Sequence, residues 1–170
     1  MDKISKNFVN DFSSVWFPLG KGGPPFWFKA KQERYRQPVI ALCRKFHEPI
    51  DKLIHAGSDQ AVQIVQSGGF TVTQIVVLAI MMDQMPRNAC AIGELPVSHI
   101  NDPVVLAFAR WIDQNCDLSR ITDERVLCFF SLIFRHSNEL SRSRQILSSL
   151  PPTPLVSSFF TETNKRETNR

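Results

Sequence analysis

The sequence predicts an all-α fold of antiparallel helical hairpins stacked side by side, with five to seven helices, and three observations predict it. Apolar residues recur at spacings of three and four in several separate segments, the mark of one buried helical face. Alternation of apolar and polar residues is never sustained, so no segment reads as a strand. Short Gly-, Pro- and Ser-containing connections separate the periodic segments, and connections of that length place successive helices antiparallel.

Taken in order, residues 1–28 carry aromatic anchors without a sustained period: Phe8, Phe12, Trp16, Phe17, then Phe26, Trp27 and Phe28. The run at 20–25, Gly-Lys-Gly-Gly-Pro-Pro, is a loop by composition and lacks the spacing of a phosphate-binding loop. These residues are expected to pack as an aromatic segment on a helical domain at 29–154. Pro38 suits the first residue of a helix whose stripe is Val39, Cys43, Phe46, Ile50 and Leu53, with Pro49 expected to kink or divide it and Gly57 to close it. His47 and His55 fall off that stripe and read as solvated. Ser58 caps a short helix carrying Ala61, Val62, Ile64 and Val65, ended by Ser67, Gly68 and Gly69.

The next helix is the centre of the prediction. Thr71 and Gln74 fit a capping box, Phe70 and Ile75 a hydrophobic staple, and between Val72 and Met82 only Thr73 and Gln74 are polar, so this helix has no wet face and belongs in the interior. Pro86 is expected to end it, which would leave Asp83 in the last turn, opposed to the helix dipole and in need of a compensating partner. Residues 89–100 read as a connecting loop containing His99. Asn101 or Asp102 caps the following helix, with Pro103 in its first turn and Val104, Val105, Phe108, Trp111 and Ile112 buried. Thr122 caps a second interior helix, apolar over 126–134 and polar at its end from Arg135 to Glu139. An amphipathic helix with Leu140, Ile146, Leu147 and Leu150 follows and stops at Pro151, Pro152 and Pro154, and residues 155–170 read as a disordered tail.

Composition excludes several classes. With 43% apolar and 21% charged residues the chain suits one globular domain rather than a disordered or fibrous one. A net charge of +4 comes from scattered Lys and Arg, which argues against a specific nucleic-acid stripe. No uninterrupted apolar run reaches the length of about 18 needed to span a membrane. The four Cys show no C-x-x-C spacing and no signal peptide precedes them, so reduced thiols and a cytoplasmic setting are expected.

Two interior helices ending in polar residues invite a shared site. In the chemical reading Asp83, Arg87, Asn88 and His136 converge: His136 is the general acid or base, Asp83 fixes its tautomer or shares its proton, and Arg87 holds an anionic small molecule, with Gln84, Asn88 and Glu139 as further ligand-binding groups. In the plain reading Asp83 pairs with Arg87 and His136 bonds a backbone carbonyl. A zinc site wants three or four ligands; His136 and Glu139 share a helical face, but Asp83 and His99 lie in distant segments, so no metal is assigned, and no cofactor is named. Cys90 follows the polar turn but has no His in sequence to serve as its base. Two functions remain: a small-molecule site, enzymatic or purely binding, and a scaffold that offers a groove to a peptide or protein partner.

The runs Asp83-Gln84-Met85-Pro86-Arg87-Asn88 and His136-Ser137-Asn138-Glu139-Leu140 resemble the D-Q-F-P-R-N and H-S-E motifs of the family called domain of unknown function 924, with Met85 in place of Phe. Trp16-Phe17 and Trp27-Phe28 are similar to its W-F pairs, Asp102 to the acidic residue that opens its next helix, and Glu124-Arg125 to its E-R pair. The resemblance covers about residues 16–150 and implies tetratricopeptide-like helices. Asn138 stands in place of the usual Glu, Ile92-Gly93 in place of an arginine-glycine pair, and no F-G-R-F-P-H-R-N-like motif follows, as expected of a divergent or C-terminally shortened member.

Overall fold

A computed structural model describes residues 4–20, Trp27 and 32–168, with side chains through Arg166. Among these residues there are eight α-helices and no strands: α1 (Lys6–Trp16), α2 (Glu33–Ala56), α3 (Ser58–Gly68), α4 (Val72–Ala91), α5 (Asp102–Asn115), α6 (Glu124–His136), α7 (Leu140–Ser148) and α8 (Pro154–Thr168). Short 3-10 turns at Val97–His99 and Leu118–Arg120 precede α5 and α6. The all-α class stands, with more helices than the five to seven expected. The loop expected at 20–25, together with Phe26 and Phe28, lies outside the described residues, Gly20 excepted.

Helix α4 is the hub, packing on α1, α2, α5 and α6. Of its 20 residues 14 are buried, which is why its sequence lacks a polar face. It starts at the predicted capping box: the Gln74 amide donates to Thr71 Oγ1 at 3.2 Å and the Thr71 amide to Gln74 Oε1 at 2.9 Å. The remaining helices pack in a regular order. Each even-numbered helix lies against the next, α2 on α4, α4 on α6 and α6 on α8, while α3 packs on α5 and α7 joins α5 through the Asp113–Arg142 ion pair. Helix α6 buries an unbroken run from Val126 to Phe134. Its Phe129 is the centre of an aromatic cluster with Trp16, Phe17, Trp27 and Phe159, ring centroids 4.6–5.7 Å apart, in the tilted and edge-to-face geometry that aromatic quadrupoles favour.

The structure corrects helix boundaries at Pro38, at Pro86 and in the tail; Gly57 and Asp123, rather than Ser58 and Thr122, cap α3 and α6, and His47 is partly buried rather than solvated. Helix α2 begins at Glu33, before Pro38, and is not divided at Pro49; α4 runs through Pro86 to Ala91, which shortens the expected 89–100 loop. A proline inside a helix sacrifices one hydrogen bond, at a cost of about 3 kcal/mol. In α4 that loss is offset by burial of Met85 before the break and of Ala89 and Ile92 beyond it, and by side-chain bonds that bridge it, Arg87 to Asp83 and Asn88 to the Gln84 carbonyl. Asp83 is therefore interior to its helix, and the dipole argument for its last-turn position does not apply. The tail is a further correction: residues 154–168 are helical, because Val156 and Phe159 are buried against the domain and Thr153 Oγ1 accepts from the Val156 amide at the helix start.

Candidate functional site

Asp83 and His136 meet where α4 and α6 cross. The Asp83 side chain is 1% exposed and that of His136 is 12% exposed, and His136 Nδ1 lies 2.9 Å from Asp83 Oδ1 and 3.1 Å from Oδ2. Arg87 Nε donates to Asp83 Oδ1 at 2.9 Å and Gln84 Nε2 to Oδ2 at 2.6 Å, so both carboxylate oxygens are satisfied. Burial alone would raise the Asp83 pKa; the charges and hydrogen bonds of His136 and Arg87 overcome it and hold the group at about 2, below the ordinary 3.8. Asp83 is an anion at neutral pH.

The guanidinium of Arg87 is shared. Besides Asp83 it donates through Nη2 to Asp102, at the first turn of α5, so one arginine ties α4 to α5 while His136 ties α4 to α6. Asp102 enters the centre as the counter-ion of Arg87, a role that sequence reasoning did not give it. Asn88 is turned to its own helix, donating Nδ2 to the Gln84 carbonyl at 2.7 Å. Glu139 takes a different direction and pairs with Arg110 of α5.

Why Glu139 diverges follows from how α6 ends. Asn138 has φ 63°, the left-handed conformation that Asn tolerates better than most residues, and the Glu139 amide donates to the Phe134 carbonyl at 2.8 Å while the Asn138 amide donates to Arg135 at 3.2 Å. This is a Schellman closure, and it stops the helix one residue after His136. His136 thereby sits on the last turn of α6 with Nδ1 held by Asp83 and with no protein partner at Nε2 among the described residues.

A second cation at the centre went unrecognised in the sequence. Arg135 is close enough to Asp83 to feel its charge, has no ion pair among the described residues, and carries a buried Nε without a hydrogen-bond partner. Burial, together with Arg166 of α8, pulls its pKa down, while Glu162 and Asp83 act in the opposite sense. Its position beside His136 at a helix end was the available signal. Ser137 Oγ is likewise buried and unpartnered.

The thiols are poor nucleophiles. All four are free, burial pushes Cys43 and Cys128 up to about 11 and about 12, and Cys90, also raised by burial, has its Sγ 3.2 Å from the Pro96 carbonyl. A cleft of about 530 Å³ between α6, α7 and the 118–122 turn is lined by Thr122, Leu127, Arg142 and Ile146 and includes neither Asp83 nor His136. No helix among the described residues is long and apolar enough to cross a membrane. Compared with known proteins, the chain matches no family model, no curated protein and no solved structure.

Proposed function

We propose that this chain is a small-molecule-binding helical domain in which His136, oriented by Asp83, is the acid–base group and an arginine receives the anionic part of the ligand. The observation that carries the reading is the disposition of His136: one ring nitrogen faces a buried carboxylate while the other has no partner among the described residues. A neutral ring that donates Nδ1–H to Asp83 presents a lone pair at Nε2, ready to take a proton from a bound molecule, and the carboxylate stabilises the imidazolium so formed. Gln84 steadies the carboxylate, and Asp102 and Asp83 together fix Arg87. Because Arg87 is already shared between two carboxylates, Arg135, whose Nε lacks a partner, is the better candidate for the ligand's anionic group. Membership of the domain of unknown function 924 family and tetratricopeptide-like stacking belong to the same proposal, supported by the Asp83–Asn88 and His136–Glu139 motifs and by the packing of each even-numbered helix on the next.

The test is a thermal-shift panel of phosphate esters, carboxylates and nucleotides against the wild type, Arg135→Met and His136→Ala. A true ligand at about 100 times its Kd adds about 2.7 kcal/mol, roughly 5–10 °C in a chain of this size. The expected result is a shift shared by wild type and His136→Ala and lost in Arg135→Met, with any turnover of that ligand lost in His136→Ala. If no anionic compound shifts the wild type, the small-molecule reading fails. The scaffold reading then gains, since Asp83 is fully satisfied within the protein and needs no ligand.

A further inference from the structure

Away from the Asp83 centre, three of the chain's four histidines gather around one carboxylate. His47, Asp51 and His55 recur at four-residue spacing along one face of α2, and His99 comes across from the 3-10 turn that follows α4. Asp51 Oδ1 lies 3.0 Å from His99 Nδ1 and 4.0 Å from His47 Nε2. One ligand atom from each of His47, Asp51 and His99 lies within 4.8 Å of the others. All three residues are partly buried, and His47 Nε2 is shielded from solvent without a hydrogen-bond partner among the described residues. That last atom is the telling one, because a buried polar nitrogen with nothing to bind costs free energy that a ligand at the same place would recover.

We propose that His47, Asp51 and His99 form a binding site for a divalent transition-metal ion, best fitted by zinc. Donor atoms held about 2.0–2.2 Å from a tetrahedral ion stand about 3.3–3.5 Å from one another, and the two Asp51 distances bracket that value, so small side-chain rotations complete the geometry. Two imidazoles and one carboxylate select zinc and its neighbours in the transition series and disfavour magnesium and calcium, which take oxygen ligands. His55 is not the fourth ligand, since it is exposed and its Nδ1 approaches the Asp51 carbonyl at 2.8 Å. The fourth position is open to water. Glu48, one residue from His47, is turned to Lys52 at 2.6 Å and does not serve as a base for that water, so the site is a metal clamp joining α2 to the chain that follows α4. Sequence alone hides it, because Asp51 and His99 are 48 positions apart.

The full-length chain, freed of metal with a chelator and then dialysed, is titrated with zinc alone by calorimetry in excess magnesium, with circular dichroism to verify that each variant is folded. One zinc per chain is expected. His99→Ala and Asp51→Asn should each weaken binding by at least about a hundredfold, since removal of outer-shell partners alone costs 10–100-fold. His136→Ala should bind as the wild type does, which keeps this site separate from the Asp83 centre. A folded His99→Ala or Asp51→Asn variant that binds zinc as tightly as the wild type overturns the site, as does absence of stoichiometric binding in the wild type. Cobalt in place of zinc gives the second readout: an intense thiolate-to-cobalt charge-transfer band would put the ion on the cysteines and overturn the assignment equally.

Discussion

Asp83 has two basic partners on different elements, and removing Arg87 tests how much of the centre depends on their coupling. Deleting one partner of a fully buried ion pair costs about 3–5 kcal/mol, while an exposed pair is worth about 1 kcal/mol or less. Here the anion is 1% exposed but Arg87 is 24% exposed, and after Arg87→Met the carboxylate still keeps His136 and Gln84. The expected cost is therefore intermediate, about 2 kcal/mol, with loss of the Asp102 contact adding about 0.5 kcal/mol or less because that group is one-third exposed. Asp83→Asn alone should cost about 2–3 kcal/mol by leaving two basic groups without their anion. The double variant should be about 1–2 kcal/mol more stable than the sum of the two single losses, because neither lone charge remains. Urea unfolding followed by circular dichroism measures all four proteins on one scale. If the single costs add to within about 0.5 kcal/mol of the double, Asp83 and Arg87 are uncoupled, and the account of what holds the carboxylate ionised is wrong.

Two further outcomes follow from the same structure. The Asp83 carboxyl is held at about 2 against an ordinary 3.8, so between those values the unfolded chain binds more protons than the folded one. The stability this group contributes, about 2 kcal/mol, is complete above about pH 4 and is lost as the pH falls through about 2, so the gap between wild type and Asp83→Asn should close over that window; a constant gap would show that the carboxylate is not specifically held. Phe159 is 3% exposed and its ring lies 5.5 Å from that of Phe129, so Phe159→Ala should cost about 3 kcal/mol and raise amide exchange throughout α8; unchanged exchange would mean that residues 154–168 do not dock.

Much of the architecture was readable because it depends on local chemistry. The Thr71–Gln74 box, the Gly57 closure and the apolar runs of α4 and α6 act within a turn or two of themselves, and each stands where its residues place it. Prolines misled, since their cost is local while the burial that outweighs it is tertiary: nothing near Pro86 announces that Ala89 and Ile92 will be covered. Helix α8 was hidden the same way, its few apolar residues diluted by a polar composition. Helix α1 was missed although Phe8, Phe12 and Trp16 recur every four residues, a stripe that reads as a helix once Ser5 is recognised as its cap. The meeting of Asp83 with His136 was legible because each closes an apolar run on an interior helix, and two such runs packed together bring their polar ends within reach.

The two polar clusters differ in a way that bears on their roles. At Asp83 both carboxylate oxygens have donors, and the bonds cross from α4 to both α5 and α6, so the centre holds three helices in register even when nothing is bound. What it leaves unpartnered among the described residues are a ring nitrogen of His136 and the buried Nε of Arg135, groups suited to a proton and an anion. At Asp51 the imbalance runs the other way: three imidazoles crowd one carboxylate, and a buried imidazole nitrogen goes unbonded, a surplus of electron-pair donors that a positive ion relieves. A single ligand chemistry cannot serve both. Zinc should therefore leave the response to anionic compounds unchanged and anionic compounds should leave zinc affinity unchanged, whereas mutual dependence would mean that α2 and α4 transmit one site to the other through their shared packing.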